Sequence, residues 1–273
     1  MAKVDFIIDL QAKIDELMEL DYDVQAIFHV PSKKDATFGD KASSITAACL
    51  LIDIRNSSAM LQGYKKSYVA NLLKSFHYIC IKTIRENCGE VRSFNGDSSL
   101  AIFTESACCD NAVSSAFAIK YYMNLILKPK YKIANDLDYG VGIDYGSIFV
   151  VKVGISGEFN NDLVWIGAPV NNASKMGCKS KLPNNICISA EVFRKLSDNN
   201  KYNVPHDSDK LSVFVPLGFR TPIWKNGILP GLINPKPTPS APIIPYFFGK
   251  ILQPIASPDS APLIYYSDYE RPL

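Results

Sequence analysis

The run Leu50-Leu51-Ile52-Asp53-Ile54-Arg55-Asn56-Ser57-Ser58 closes an almost unbroken apolar stretch that begins at Ser44. A segment apolar at nearly every position suits a strand buried on both faces, so 44–54 is expected at the centre of a sheet. Asp53 is the one charge inside it. A carboxylate is costly to bury unless it is paired or binds a cation. A second acid stands in a comparable place, in Val91-Arg92-Ser93-Phe94-Asn95-Gly96-Asp97-Ser98-Ser99-Leu100-Ala101-Ile102-Phe103. There Asn95-Gly96 predicts a type I′ hairpin turn, and Asp97 follows it at once. Two carboxylates brought together at strand ends repel each other, and Mg²⁺ or Mn²⁺ relieves that repulsion. Such a pair suits two-metal phosphoryl transfer. The plain alternative is that Asp53 caps the next helix and Asp97 merely belongs to its turn.

Outward from these two segments, residues 3–28 carry apolar side chains at helical spacing (Phe6, Ile7, Leu10, Ile14, Leu17) and predict an amphipathic helix. That helix is expected to pack on the domain or on a second copy of it. Residues 66–87 predict a second helix, stopped by Cys88-Gly89. A third covers 109–127. Residues 138–146 and 148–154 read as two strands joined at Tyr145-Gly146-Ser147, followed by a short strand over 164–167 and a helix over 171–178. A strand over 186–189 and a helix over 190–196 close the regular part. Twelve of the 17 prolines fall between Pro216 and Pro272, where periodicity disappears. Pro-rich backbone favours extended conformations. Trp224, Ile243, Phe247 and Tyr265 make this segment too apolar for a free tail, so it reads as an arm draped over the core or a partner. The division is an N-terminal helix and loop over 1–43, a central domain over 44–215 and the arm over 216–273.

The chain of 273 residues is 47% apolar and 21% charged, the balance of an ordinary globular protein. Twenty-nine Lys and Arg against 27 Asp and Glu leave +2, which requires neither nucleic acid nor an acidic membrane as partner. Seven scattered cysteines without a C-x-x-C pair, and three histidines remote from them, argue against structural zinc and fit reduced thiols. The N-terminus lacks the pattern of a signal peptide, and no apolar run approaches the ~20 residues of a membrane span. The simplest expectation is a cytoplasmic protein.

Four segments in order, 50–58, 91–103, 139–154 and 165–176, resemble the class III nucleotidyl cyclase domain. That family's motifs are an Asp-Ile-Arg strand end, a Gly-Asp hairpin, a Gly-Ile-x-x-Gly strand and Ile-Gly-x-x-Val-Asn-x-Ala-Ser-Arg. The resemblance covers residues 45–200 and implies an α+β fold, the ferredoxin-like palm, with a central, mostly antiparallel sheet flanked by helices. It implies that Asp53, Asp97 and the carbonyl of Ile54 hold two Mg²⁺ or Mn²⁺ ions per site. Asn56, Ser57 and Ser58 match the stretch whose amides cover the triphosphate, and Asn171 matches the asparagine that orients the ribose. Two chains pair head to tail in this family, so the resemblance implies a homodimer with two composite sites.

Three positions depart from the family pattern. Its phosphate-stabilising arginine is here Lys175, which keeps the charge but loses the bidentate fork. Its plain alternative is an exposed helix lysine. The two base-selecting positions of the purine cyclases are here Ser93 and Val164, a pair that serves neither adenine nor guanine. Arg92 precedes Ser93. A guanidinium donates hydrogen bonds and cannot accept them, so it suits the two carbonyls of uracil better than the amino edge of cytosine. The alternative is that Arg92 points to the other face and pairs with Glu90. Missing purine selectors together with this arginine resemble the pyrimidine cyclases of bacterial Pycsar anti-phage systems. That resemblance implies a cyclase making cyclic UMP or cyclic CMP as a second messenger for a separate effector, and Arg92 favours UTP as the substrate. Cyclic CMP, a purine product and a non-catalytic nucleotide-binding dimer remain the competing expectations.

Overall fold

The computed structural model describes residues 3–131, 137–182, 184–203, 211–212, 214–216 and 264–267. Helix α1 (Lys3–Met18) precedes β1 (Asp23–Ala26) and β2 (Lys41–Ile54). Helices α2 (Ser57–Gly63) and α3 (Lys66–Glu86) lead to the hairpin of β3 (Glu90–Asn95) and β4 (Ser98–Phe103). Helix α4 (Cys108–Tyr122) continues through a π-helical turn, Met123–Leu127, into the short α5 (Lys128–Lys130). Strands β5 (Tyr139–Val153) and β6 (Asp162–Ile166) are followed by α6 (Ala168–Lys179). The described chain ends with β7 (Ile186–Ser189), α7 (Ala190–Lys195), α8 (Asp198–Lys201), β8 (Tyr202–Asn203), β9 (Leu211–Ser212), β10 (Phe214–Pro216) and β11 (Ile264–Ser267).

The main sheet runs β10-β11-β7-β5-β2-β4-β3, with β1 added to β2 and β6 to β5. It is antiparallel except for the β1–β2 and β5–β7 pairs. Strand β2 lies in the sheet's interior, between β5 and β4, as its apolar run predicts. Ala48, Leu50, Ile52 and Ile54 pack against Phe76 and Ile84 of α3 and Ala112 and Ile119 of α4. On the other face, Ala47 and Cys49 pack with Trp165 and with Ala173 of α6. Strand alternation puts Asp53 on this second face, level with the end of α6.

Several expected boundaries shift because tertiary pairing overrides local pattern. The helix expected over 3–28 ends at Met18, and 23–26 instead pairs in parallel with the start of β2. The Asp23 amide donates to the Asp40 carbonyl at 2.8 Å, and Lys41 Nζ reaches the Asp23 carboxylate at 2.8 Å. Strand β2 therefore starts at Lys41, so a division at 43/44 passes through it. The turn expected at Tyr145-Gly146-Ser147 is absent; β5 is one continuous strand. A Cβ on Gly146 would come within 3.0 Å of Pro169 Cγ, so this glycine admits the neighbouring helix rather than making a turn. The hairpin turn is Gly96-Asp97, with Asn95 paired to Ser98. Only Gly96 of the two has positive φ (62°), which is the pattern of type II′ and not the expected I′. At the end of α3 the left-handed residue is Cys88 (φ 58°), while Gly89 donates back to the Ile84 carbonyl at 2.8 Å. Gly89 is required for another reason: a Cβ there would lie 2.2 Å from the Phe103 ring.

Of the Pro-rich arm, residues 217–263 and 268–273 lie outside the described residues. The described remainder is Pro216, which ends β10, and 264–267, which form β11, inserted between β7 and β10. Among the described residues, no helix is long and apolar enough to cross a membrane.

Candidate active site

Asp53, the penultimate residue of β2, stands directly opposite Ser98, the first residue after the hairpin turn, and the Ile54 amide donates to the Asp97 carbonyl at 3.3 Å. The sheet register thus carries Asp97 to the end of β2, where both acids are half-buried. Burial, and then the negative charge of Asp97, push the Asp53 carboxyl above its ordinary range. Arg55 and Cys178 offset this only in part. In a strand the N–H and C=O of one residue point to the same neighbour, so the Ile54 carbonyl also faces the hairpin. Two mutually repelling carboxylates and one carbonyl form an all-oxygen donor set suited to a hard divalent cation. Among the described residues, no group of three or more His, Cys, Asp or Glu side chains clusters as a protein-only metal cage. Any cation here depends on the acid pair, on backbone and on oxygens that a ligand brings.

Beyond Asp53 the chain turns sharply. Asn56 adopts the left-handed conformation (φ 56°, ψ 26°), and its carbonyl accepts from the Ala59 and Met60 amides to start α2. Asn is among the few residues that tolerate this region. Ser57 and Ser58 occupy the first turn, where backbone amides lack intrahelical acceptors. Arg55 takes no part in this opening. Its Nε donates to the Ser180 carbonyl at 2.7 Å and its Nη2 to the Gly177 carbonyl at 2.6 Å, tying the end of β2 to the end of α6.

Asn171 and Lys175 lie one turn apart on the exposed face of α6, whereas Ala173, Met176 and Gly177 face the sheet. Cys178 continues the exposed face, and its thiol lies 3.8 Å from Asp53 Oδ2. The seven residues from Cys178 back to Asn171 correspond to about 10 Å along the helix axis. Asn171 is therefore held away from the acid pair of its own chain.

The base-selecting candidates are also dispersed. Ser93 is half-buried in β3 and pairs with Leu100, which is level with Leu51 and Gly142. Val164 is exposed on β6, opposite Val151 near the far end of β5. About 30 Å of strand separates those two levels. Arg92 takes the alternative course: its Nη2 bonds the Glu90 carboxylate and the Val30 carbonyl. A bulge between Val91 and Ser93 breaks simple alternation there. A cavity of about 300 Å³ lined by Thr46, Cys108, Tyr145 and Lys195 lies toward the opposite end of β2 and holds none of the expected site residues.

Three contributors escaped the sequence reading. His77 of α3 contacts the Gly96 carbonyl through Nε2 (3.1 Å) and Ser99 Oγ through Nδ1 (2.9 Å), bracketing Asp97. Cys178 touches Asp53 across 125 residues of sequence. Asp144 is buried beneath α6. None belongs to a short motif; the one signal able to reach any of them is the helical spacing from Asn171 through Lys175 to Cys178.

No family model matches the chain. A uridylate cyclase from Xanthomonas perforans is 33% identical over 173 residues, which is 60% of this chain and 72% of that protein. A uridylate cyclase from Burkholderia cepacia is 30% identical over 200 residues, 71% of this chain and 86% of its own. Among solved structures, the adenylyl cyclase CyaB from P. aeruginosa superposes with a TM-score of 0.55 at 17% identity, covering 84% of this chain and 97% of that one.

Proposed function

Because the chain belongs to the uridylate cyclase family and is a nucleotidyl cyclase of the class III fold, we propose that it converts UTP to cyclic 3′,5′-UMP and pyrophosphate in a homodimer with two composite sites. The observation that carries this reading is the convergence of Asp53 and Asp97, where burial and then the Asp97 charge raise the Asp53 carboxyl. Asp53, Asp97 and the Ile54 carbonyl would hold Mg²⁺ or Mn²⁺. When bound, such ions supply Lewis-acid activation of the ribose 3′-hydroxyl and neutralise charge on the triphosphate.

The remaining work falls to the chain itself. The first-turn amides of α2, at Asn56, Ser57 and Ser58, bind triphosphate oxygens. Asn171 of a second copy orients the ribose so that the 3′-oxygen lies in line with the α-phosphorus. A new bond forms between them as the bond to the departing pyrophosphate oxygen breaks and the hydroxyl proton passes to solvent. Lys175 of that copy supplies positive charge where it develops on the α-phosphoryl oxygens. A composite site explains why Asn171 and Lys175 face away from the sheet and stand off from the acid pair of their own chain.

UTP as substrate is supported by the names of the relatives and by Ser93 and Val164, which offer no purine-selecting pair. A role for Arg92 in reading uracil requires the guanidinium to leave Glu90. The product would act as a second messenger in antiviral defence, read by a separate effector. Incubation of the purified protein with ATP, GTP, CTP and UTP in Mn²⁺, with products separated by mass, tests the reading. Cyclic UMP alone is expected. Cyclic CMP or a purine product discards the base assignment, and no product from a folded dimer favours a nucleotide-binding module, for which the replacement of the family arginine by Lys175 is the one feature in favour.

A further inference from the structure

On the face of β5 beneath α6, residues 140, 142, 144 and 146 stand opposite Asp53, Leu51, Cys49 and Ala47. Three of the four are glycine. A Cβ on Gly140 would lie 2.0 Å from the Gly177 carbonyl oxygen, one on Gly142 2.0 Å from the Ala173 carbonyl oxygen, and one on Gly146 3.0 Å from Pro169 Cγ. At Gly140 and Gly142 the backbone of α6 thus rests directly on β5, and at Gly146 the Pro169 ring fills the place of a side chain. Arg55 anchors the C-terminal end of α6 through the Gly177 and Ser180 carbonyls, while the glycine track leaves the N-terminal half of the helix, where Asn171 lies, with little side-chain interlock against β5.

Asp144 is the only side chain in this track. It is 5% exposed. Its Oδ2 accepts from Asn172 Nδ2 at 2.8 Å, and its Oδ1 accepts from the Tyr145 amide at 2.8 Å. A buried carboxylate retained in a glycine track, with its outer oxygen on one helix residue, acts as a peg. Asn172 directly follows Asn171 and is three residues before Lys175, so the peg sits within one turn of both.

We propose that Asp144 and Asn172 are positioning residues: their hydrogen bond sets the rotation of the N-terminal half of α6, and thereby aims Asn171 and Lys175 at the nucleotide. This rests on the cyclase reading given above. Neither residue touches substrate. Because α6 presents the groups that act on the ribose and the α-phosphate, misplacement lowers turnover more than it weakens nucleotide binding.

The test exchanges donor and acceptor. Asn172→Asp sets two carboxylates against each other, and its kcat with UTP is expected to fall about 30-fold or more while KM changes less than about threefold. The swap Asp144→Asn with Asn172→Asp rebuilds one N–H···O contact and is expected to return kcat to within about threefold of wild type. Hydrogen exchange of the α6 amides gives a readout independent of turnover: faster in Asn172→Asp and slowed again in the swap. Asn172→Ala, which removes the donor without adding charge, is read in the same way if Asn172→Asp does not fold. A folded Asn172→Asp or Asn172→Ala protein with wild-type kcat overturns the proposal. So does a swap that restores exchange protection but not kcat. A wild-type protein that cyclises no nucleotide overturns the cyclase reading instead, while the exchange measurement still decides the α6 contact.

Discussion

The Cys178 thiol donates to Asp53 Oδ2 at 3.8 Å, joining the end of α6 to the end of β2 at the acid pair. Burial, and then the Asp53 charge, raise the Cys178 thiol above its ordinary range, so it stays protonated near neutral pH. Alkylation by iodoacetamide, followed by mass spectrometry in a Cys88→Ser background, is expected to be slow at pH 7 and to accelerate as pH rises. Alkylated protein is expected to lose metal-dependent turnover, because the adduct crowds Asp53. Full turnover after stoichiometric modification at Cys178 would remove Asp53 from the site.

Asp53 has a pH signature of its own. Its folded pKa lies above the ordinary value, so the folded state favours the neutral acid, and that favourable contribution is lost as pH rises through the folded pKa. At neutral pH the metal-free protein is therefore held below its attainable stability. Asp53→Asn is expected to melt no lower than wild type without metal, to gain nothing from added Mn²⁺, and to lose about 10³-fold or more in turnover. Calorimetry with and without Mn²⁺ decides it.

His77 grips the turn that presents Asp97 through the Gly96 carbonyl and Ser99 Oγ. Removing it frees the turn without removing a ligand. His77→Ala is expected to raise the Mn²⁺ concentration for half-maximal activity severalfold while keeping most of kcat at saturating metal, and to weaken Mn²⁺ binding measured by electron paramagnetic resonance. An unchanged metal requirement would leave His77 a packing residue.

Gly142 tests the helix–strand contact directly. With a Cβ due 2.0 Å from the Ala173 carbonyl oxygen, Gly142→Ala forces α6 off β5. Overpacking of this kind costs about 1–3 kcal/mol, read from urea unfolding, and kcat is expected to fall with it. A variant with native stability would mean that α6 has room to move.

The proposed composite sites make a prediction about mixtures. Asp53→Ala and Lys175→Ala homodimers are each expected to be nearly inactive. Co-refolding the two yields heterodimers in which one site is intact and the other carries both changes, so activity reappears, up to about half of wild type per heterodimer. Mixtures that stay inactive while exchanging subunits would place both residues in the same chain's site.

Much of this protein was legible in the chain because local pattern and burial agree there. The unbroken apolar run into Asp53 marks β2 as central, since only a strand covered on both faces can use apolar residues at every position. The spacing from Val69 through Leu72, Phe76, Cys80 and Ile84 marks the buried face of α3. The hairpin carrying Asp97 is marked by its glycine, although the turn sits one residue later than Asn-Gly suggested. Motif order, in turn, put forward Asp53, Asp97, Asn171 and Lys175 as the candidate site residues.

What the tertiary structure alone decided depends on contacts between distant segments. Whether 23–26 is helix or strand was settled by the free edge of β2 at Lys41, which no local signal reveals. Whether Gly146 makes a turn or admits a helix was settled by Pro169. Arg92 could have faced either way; Glu90, Val30 and a bulge fixed it. His77, Cys178 and Asp144 acquire their places only when α3, α6 and β5 are brought against the acid pair and its helix. Side chains of ordinary type become specific by what the fold sets beside them, and a linear pattern records periodicity and turns but not those neighbours.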